Sequence, residues 1–294
     1  MLSSSEKQTI IQDYQKKNKE IRKKWKDIFL RIGLFMLVSL AIAIVLFGWK
    51  DNLELRVFSY IFGGVAFLML MVSYLVGNYM YSPKATYQVL IPALIEKINF
   101  YEELNLKYEA YNKEKKTINK ESQLFTRGAS VTVQSSLSGY NDYLEAWSIH
   151  DIRVVVSTGQ STAILFDGFL FELDRPNGVA FQLRSASRPS NKPVKFRKEE
   201  KVNDYKLFVE DEENIPSNIE KIAGKLQEIH TMFHVKHLYF SALKEKTYLG
   251  IQSKSLPRKQ SKLTEEKVQK MYDDFVRYSK LMNMLGDSQY DFSN

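Results

Sequence analysis

The chain has 294 residues, 44% hydrophobic and 26% charged, with a formal net charge of +8. It contains no cysteine, which excludes disulfides, thiol catalysis and thiolate metal sites. The basic excess is local: residues 1–31 hold nine Lys/Arg against four acids, whereas residues 85–294 hold 30 bases against 28 acids. The larger part therefore lacks the charge of a nucleic-acid-binding surface, and no nucleic-acid partner is expected.

Residues 1–27 predict a basic cytosolic helix, with Ile10, Ile11, Tyr14, Ile21 and Trp25 on one side. Its bases Lys16, Lys17, Lys19, Arg22, Lys23, Lys24 and Lys26 cluster just before an apolar run. They either set membrane topology or also attract anionic lipid, at about 1 kcal/mol per base near the surface.

Two uncharged runs follow, from Ile32 to Trp49 and from Val57 to Pro83. About 20 apolar residues cross the roughly 30 Å hydrocarbon core as a helix, so a hairpin over residues 28–81 is predicted, with spans at 30–49 and 57–78. A cleaved signal peptide fits poorly, because the first run has no small-residue cleavage site and a second run follows directly. The Lys/Arg asymmetry places both termini in the cytoplasm, with a loop of about seven residues outside. Trp49, Tyr74, Tyr79 and Tyr81 suit interfacial positions, and Gly63-Gly64 offers a site of close helix contact. Neither span carries an ionisable residue, which favours an anchor over a transporter.

Residues 84–125 predict a helical connector, interrupted or kinked at Pro92. Residues 126–290 predict an α+β domain. Strands are expected at Ala129–Leu137, Ile149–Ser157, Thr162–Leu173, Val179–Arg184 and Lys206–Glu210, with a mobile basic loop at 185–203. Asp167-Gly168 suits a hairpin turn or one strand with a glycine bulge. A helix is expected from Ser217, then a hairpin at Val235–Ala242 and Thr247–Gln252, then a last helix capped by Thr264. The fold class is α+β: a two-helix transmembrane hairpin followed by a mainly antiparallel sheet with packed helices.

Chemistry is sparse. His230, His234 and His237 would share a face on a continuous helix and supply three ligands to a zinc ion. The apolar run around them instead suggests a helix ending and a strand starting, and no H-E-x-x-H is present. His150-Asp151 are adjacent, so their side chains point to different faces, and no G-x-S-x-G elbow accompanies them. Gly224-Lys225 lacks the rest of a phosphate loop, and the run Glu210–Glu213 reads as a solvated loop. No cofactor is expected.

Several stretches resemble the bacterial membrane protein family known only as domain of unknown function 3137. They are Ala85–Ile98 with Tyr108 and Ser122-Gln123-Leu124-Phe125, then Asp142-Tyr143-Leu144, then Phe166–Phe171, then Thr247–Ile251. The resemblance favours a single strand through Asp167-Gly168 and implies a membrane-anchored α+β domain without an assigned activity. One long stretch usual in that family is missing here or reduced to something near Phe208–Asn214.

The leading expectation is a non-enzymatic, membrane-anchored interaction domain that binds a protein partner or the inner leaflet of the bilayer, with self-association open. The alternative is a membrane-bound hydrolase or metal-dependent enzyme using the histidine cluster.

Overall fold

The computed structural model describes residues 1–48, 53–80, 85–110, 117–125, 128–157, 159, 161–185, 198–209, 215–233, 235, 237–252 and 263–286; the side chains of 53, 74–80 and 198–200 are outside that description. The chain forms two compact units. One comprises residues 3–91 with 258–265, the other residues 92–257 and 266–294 with Met1-Leu2.

The first unit is built on two helices, α1 (Ser4–Gly48) and α2 (Leu53–Met80). The basic helix and the first apolar run, expected as separate pieces, form one uninterrupted α1. Nothing between Asp27 and Ile32 breaks it, since no Gly or Pro stands there. Its start is a capping box: Glu6 N–H donates to Ser3 Oγ at 3.3 Å, and Ser3 N–H donates to Glu6 Oε2 at 3.0 Å. α2 begins at Leu53, within the loop expected between the two runs, and residues 49–52 lie outside the described residues.

Both helices are long and apolar enough to cross a membrane. Their apolar side chains point outward: Leu34, Phe35, Leu37, Ile44, Val45, Phe58, Phe67 and Leu68 are all exposed. A water-soluble protein rarely leaves so continuous an apolar surface uncovered. Between the helices the buried residues are small, Ser39 and Ala43 on α1 and Ser59 and Ala66 on α2. Ser59 Oγ donates to the Ala43 carbonyl at 2.8 Å, which satisfies both groups in an apolar setting. Gly63 and Gly64 do not serve this contact, since a Cβ on either would meet nothing within 4 Å. The expected aromatic positions Trp49 and Tyr81, and the side chains of Tyr74 and Tyr79, lie outside the described residues.

Pro92 does not end its helix. A π-helical turn, Thr86–Leu90, precedes α3 (Ile91–Tyr101), and Ile91 N–H donates to the Thr86 carbonyl five residues back. Proline has no N–H to give and crowds the carbonyl four residues earlier. Widening the preceding turn lets the chain continue.

The second unit is a nine-stranded antiparallel sheet. In chain order the strands are β1 (Lys107–Ala110), β2 (Ser130–Tyr140), β3 (Ala146–Ser157), β4 (Thr162–Leu173), β5 (Phe181–Ser185), β6 (Lys198–Val202), β7 (Tyr205–Val209), β8 (His237–Ala242) and β9 (Thr247–Gln252). Their order across the sheet is β1-β2-β3-β4-β9-β8-β5-β7-β6. β7 and β8 both pair antiparallel with β5, so they run parallel to each other and need a crossover. Helix α5 (Ile219–Phe233) supplies it. One sheet face packs on α5 and α6 (Glu265–Gly286): Tyr278 of α6 sits 4.9 Å from the Phe169 ring and 5.6 Å from Phe171, and stacks on Phe233 of α5. The other face is covered by the segment around α4 (Ile118–Ser122), whose Ile118 and Leu124 join Val133, Ile152, Val154, Phe166, Leu170 and Tyr248 in one core.

Two strands fall where none was expected. β1 lies in the supposed helical connector, and β6 in the supposed loop 185–203. Asp167-Gly168 runs straight through β4 as a single strand. Gly168 is there for space: a Cβ would stand 2.2 Å from the Ile251 carbonyl oxygen of β9. At Gly250, by contrast, a Cβ would meet side chains at ordinary distances from 3.5 Å. Gly168→Ala should therefore cost about 3 kcal/mol by forcing β4 from β9, and Gly250→Ala less than about 1 kcal/mol. Thermal unfolding of the full chain in detergent, followed by near-ultraviolet circular dichroism, checks the pair.

Candidate functional site

The β2–β3 hairpin and its neighbours gather the unit's polar chemistry. In the β2–β3 register Ser136 stands opposite His150, and β4 brings Glu172 to the same face. His150 Nδ1 lies 2.8 Å from Ser136 Oγ, and its Nε2 lies 3.2 Å from Glu172 Oε2. Lys246 in the β8–β9 turn donates to Glu172 Oε1 at 2.5 Å and reaches Asp174 Oδ1 at 3.1 Å. The result is a chain of Ser136, His150, Glu172, Lys246 and Asp174. It has the members of a nucleophile, base and orienting acid. All three are sealed, however: Ser136 is 7% exposed, His150 0% and Glu172 3%. Closed off to that degree, its members serve one another as hydrogen-bond partners inside the unit.

Electrostatics agree with that role. Desolvation opposes a charged Lys246, but its hydrogen bonds to Glu172 and Asp174, with their charges, push its pKa up to about 12. Beside it, burial pushes the Tyr248 phenol up, and Glu172 adds to the effect. Farther along the same face, Arg184 Nη2 donates to the Leu124 carbonyl at 2.8 Å and to Gln182 Oε1 at 2.9 Å. Its guanidinium also lies over the Phe208 and Tyr239 rings, 5.7 and 5.9 Å from their centroids. Burial pulls Arg184 down to about 10, against an opposing influence of Tyr239. Arg184 thus fastens the segment after α4 to the sheet.

The turn between β2 and β3 presents Asp142, Tyr143 and Leu144 at the surface and is tightly built. Asn141 Oδ1 accepts from the N–H of Tyr143 at 3.1 Å and of Glu145 at 2.8 Å. The end of α6 braces it: Asn283 Nδ2 donates to Asp142 Oδ2 at 2.8 Å. Arg175 lies 3.6 Å from Glu145 and donates to the Leu285 carbonyl at 2.9 Å. Gly286 leaves room for it, since a Cβ there would stand 2.1 Å from Asn141 Nδ2. Within this frame Leu144 is held in the left-handed region, φ 61°, with 83% of its surface exposed. Such strain costs about 1 kcal/mol and persists only where neighbours over-determine it.

The sequence candidates are placed differently. His230 belongs to α5 on one side of the sheet. His237 opens β8 and shares the opposite face with Tyr239 and Gln252, and His234 lies outside the described residues. Among the described residues no group of three His, Asp or Glu is arranged to hold a metal ion. His150 and Asp151 do point to opposite faces. Of the basic set, Lys16, Lys19, Arg22, Lys23, Lys24 and Lys26 are exposed on α1, while Lys17 is half-buried and pairs with Glu20 at 3.7 Å. Lys16, Lys19, Lys23 and Lys26 form one ridge, three or four residues apart, on the side of α1 away from Ile10, Tyr14, Ile21 and Trp25. At 1.5 Å per residue, Lys26 lies about 9 Å below Ile32 along the helix and Lys16 about 24 Å below. The Glu210–Glu213 run lies outside the described residues.

Three outcomes follow for stability. Lys246→Met removes the cation from the buried Glu172 side chain, which keeps His150, and should cost about 2 kcal/mol, less than a fully buried pair because Lys246 keeps contact with water. The Lys246 contribution is complete below pH 10.5 and is lost as pH rises through about 12. The raised tyrosines, Tyr248 and Tyr205 (the latter to about 12, through burial and then Asp204), also resist ionising when folded. Stability should therefore fall from about pH 10 upward, and a pH series of melting curves reads it. At the β2–β3 turn, Gly286→Ala should cost about 2 kcal/mol, while Leu144→Gly should be neutral or stabilising by up to about 1 kcal/mol.

No family model matches this chain, and no curated protein matches it. Among solved structures, the mycobacterial trehalose monomycolate transport factor A is similar at 13% identity and a TM-score of 0.34, over 61% of this chain and 92% of its own. At that TM-score the likeness carries no argument about fold or function.

Proposed function

We propose that the chain is a bacterial membrane protein whose hairpin α1–α2 anchors an interaction domain on the cytoplasmic side. The observation that carries the anchor is the uncovered apolar belt on both helices, bare of ionisable residues from Ile32 to Gly48 and from Val57 to Ser73. The bases that precede it, against a nearly neutral connection, favour cytoplasmic termini. For the sheet domain, binding is favoured over catalysis because its Ser–His–Glu array is closed while the β2–β3 turn is rigid and exposed. The resemblance to the uncharacterised family, itself a proposal, adds no activity to this reading.

The absence of native cysteine makes topology simple to measure. Asp51→Cys in intact cells should react with a membrane-impermeant maleimide, and Ser5→Cys should react only after permeabilisation; the reverse pattern overturns the orientation. For the partner, cross-linking of the full chain in its native membrane, followed by isolation and mass spectrometry, should recover one stoichiometric protein. Recovery of lipid alone would reject the interaction reading.

A further inference from the structure

His150 is fully enclosed, yet its two ring nitrogens have partners of different kinds. Nε2, 3.2 Å from Glu172 Oε2, faces a carboxylate that only accepts when ionised. Nδ1, 2.8 Å from Ser136 Oγ, faces a hydroxyl that donates or accepts according to how its hydrogen is turned. A neutral ring with its hydrogen on Nε2 donates to Glu172 and accepts from Ser136. A charged ring donates to both. Only one hydroxyl hydrogen has to turn between the two states, so neither state leaves a buried nitrogen without a partner.

The influences on the ring oppose one another. Burial disfavours the imidazolium, and so does the Lys246 ammonium that shares Glu172. The Glu172 carboxylate favours it, and Asp174 beyond Lys246 adds to that effect. Tyr248, opposite Glu172, stays neutral, raised first by burial and then by Glu172, Glu121, Asp174 and Glu245. Lys120 and Glu121 of the covering α4 are both exposed, so water screens them. Opposed influences of this kind leave an imidazole near the range where histidine ordinarily changes charge, about pH 6.5.

The strand register also supplies a path for a proton. Ser136 stands directly between His150 and Glu109 of the edge strand β1, and Glu109 is exposed. Residues opposite one another on neighbouring strands lie about 5 Å apart at Cβ. The hydroxyl takes a proton at Oγ from the Glu109 side as it passes its own to Nδ1, and the reverse transfer returns it.

We propose that His150 is a proton switch inside the sheet. Near neutral pH it alternates between a neutral ring that accepts from Ser136 and a charged ring that donates to it, so the side-chain hydrogen bond joining β2 to β3 reverses direction. Both strands lead into the exposed turn at Asp142–Leu144, and the reversal acts on its stem. The switch stands independently of the interaction reading.

The test follows the imidazole nitrogens by NMR in the full chain in detergent, with His150 assigned by the signals lost in His150→Gln. From about pH 8.5 down to about pH 5.5 those signals should pass from the neutral Nε2–H pattern to the imidazolium pattern. The amide signals of Ser135, Ser136 and Leu137 should follow the same curve, and the curve should vanish from them in His150→Gln. Ser136→Ala takes the acceptor from the charged ring, whose hydrogen bond is the stronger one, and should weaken proton binding about tenfold, moving the midpoint down by about one pH unit. Unchanged near-ultraviolet circular dichroism shows that the variant is folded; if it is not, the titration of the unaltered chain decides alone. A ring held in one state, neutral or charged, across the whole range overturns the proposal. So does a midpoint that Ser136→Ala leaves in place in a folded chain.

Discussion

The sheet depends on a single seam. β4 and β9 join a meander of β1–β4 to the β9-β8-β5-β7-β6 half, and only five register pairs hold them, from Phe169 with Ile251 to Leu173 with Thr247. At one end of the seam Gly168 lets the backbones close. Near the other, Glu172 stands opposite Tyr248 and takes Lys246 from the β8–β9 turn. A charge inside the sheet is costly to bury and costlier to leave without a partner. A slip of one residue would send Glu172 to the helical face and separate it from both His150 and Lys246, so the polar array fixes register as well as carrying charge.

The two faces consequently solve different problems. Against α5 and α6 the sheet offers Phe169, Phe171, Leu183, Leu207, Leu238, Phe240 and Leu249, and non-directional packing suffices. Against the α4 segment it mixes a core around Phe166 and Ile152 with the Ser136 array at one end and Arg184 at the other. That covering segment is short, and its own helix has only five residues. Directional bonds from Arg184 and Gln182 to the carbonyls of Gln123 and Leu124 supply what its small apolar area lacks.

Much of this was legible in the sequence where apolar periodicity is strong. β4 is legible to its ends in a run of Thr, Ile, Leu and Phe, and α5, α6 and the β8–β9 hairpin nearly so. β6 is not, because Lys198-Glu199-Glu200-Lys201-Val202 has the composition of a solvated loop; as an edge strand it needs only one partner. The continuity of α1 was missed because the change from basic to apolar composition suggested a boundary that the backbone does not have. The Ser136–His150–Glu172 array was hidden for another reason: its members are 14 and 22 residues apart, and only strand register unites them. A clue existed, since Ser136 and His150 lie seven residues to either side of Tyr143, at the tip of the hairpin.

An unbroken α1 has a mechanical consequence. About 42 Å of helix lies between Ile32 and Ser4 at 1.5 Å per residue. The spanning part is rigidly continuous with it, so a tilt that lets the span match bilayer thickness also turns the rest. A change of about 10° swings the Ser4 end by about 7 Å, and rotation of the span about its axis turns the lysine ridge by the same angle. With its apolar end seated in lipid, such a helix is a lever that would convert the thickness of a membrane into position in the water beside it.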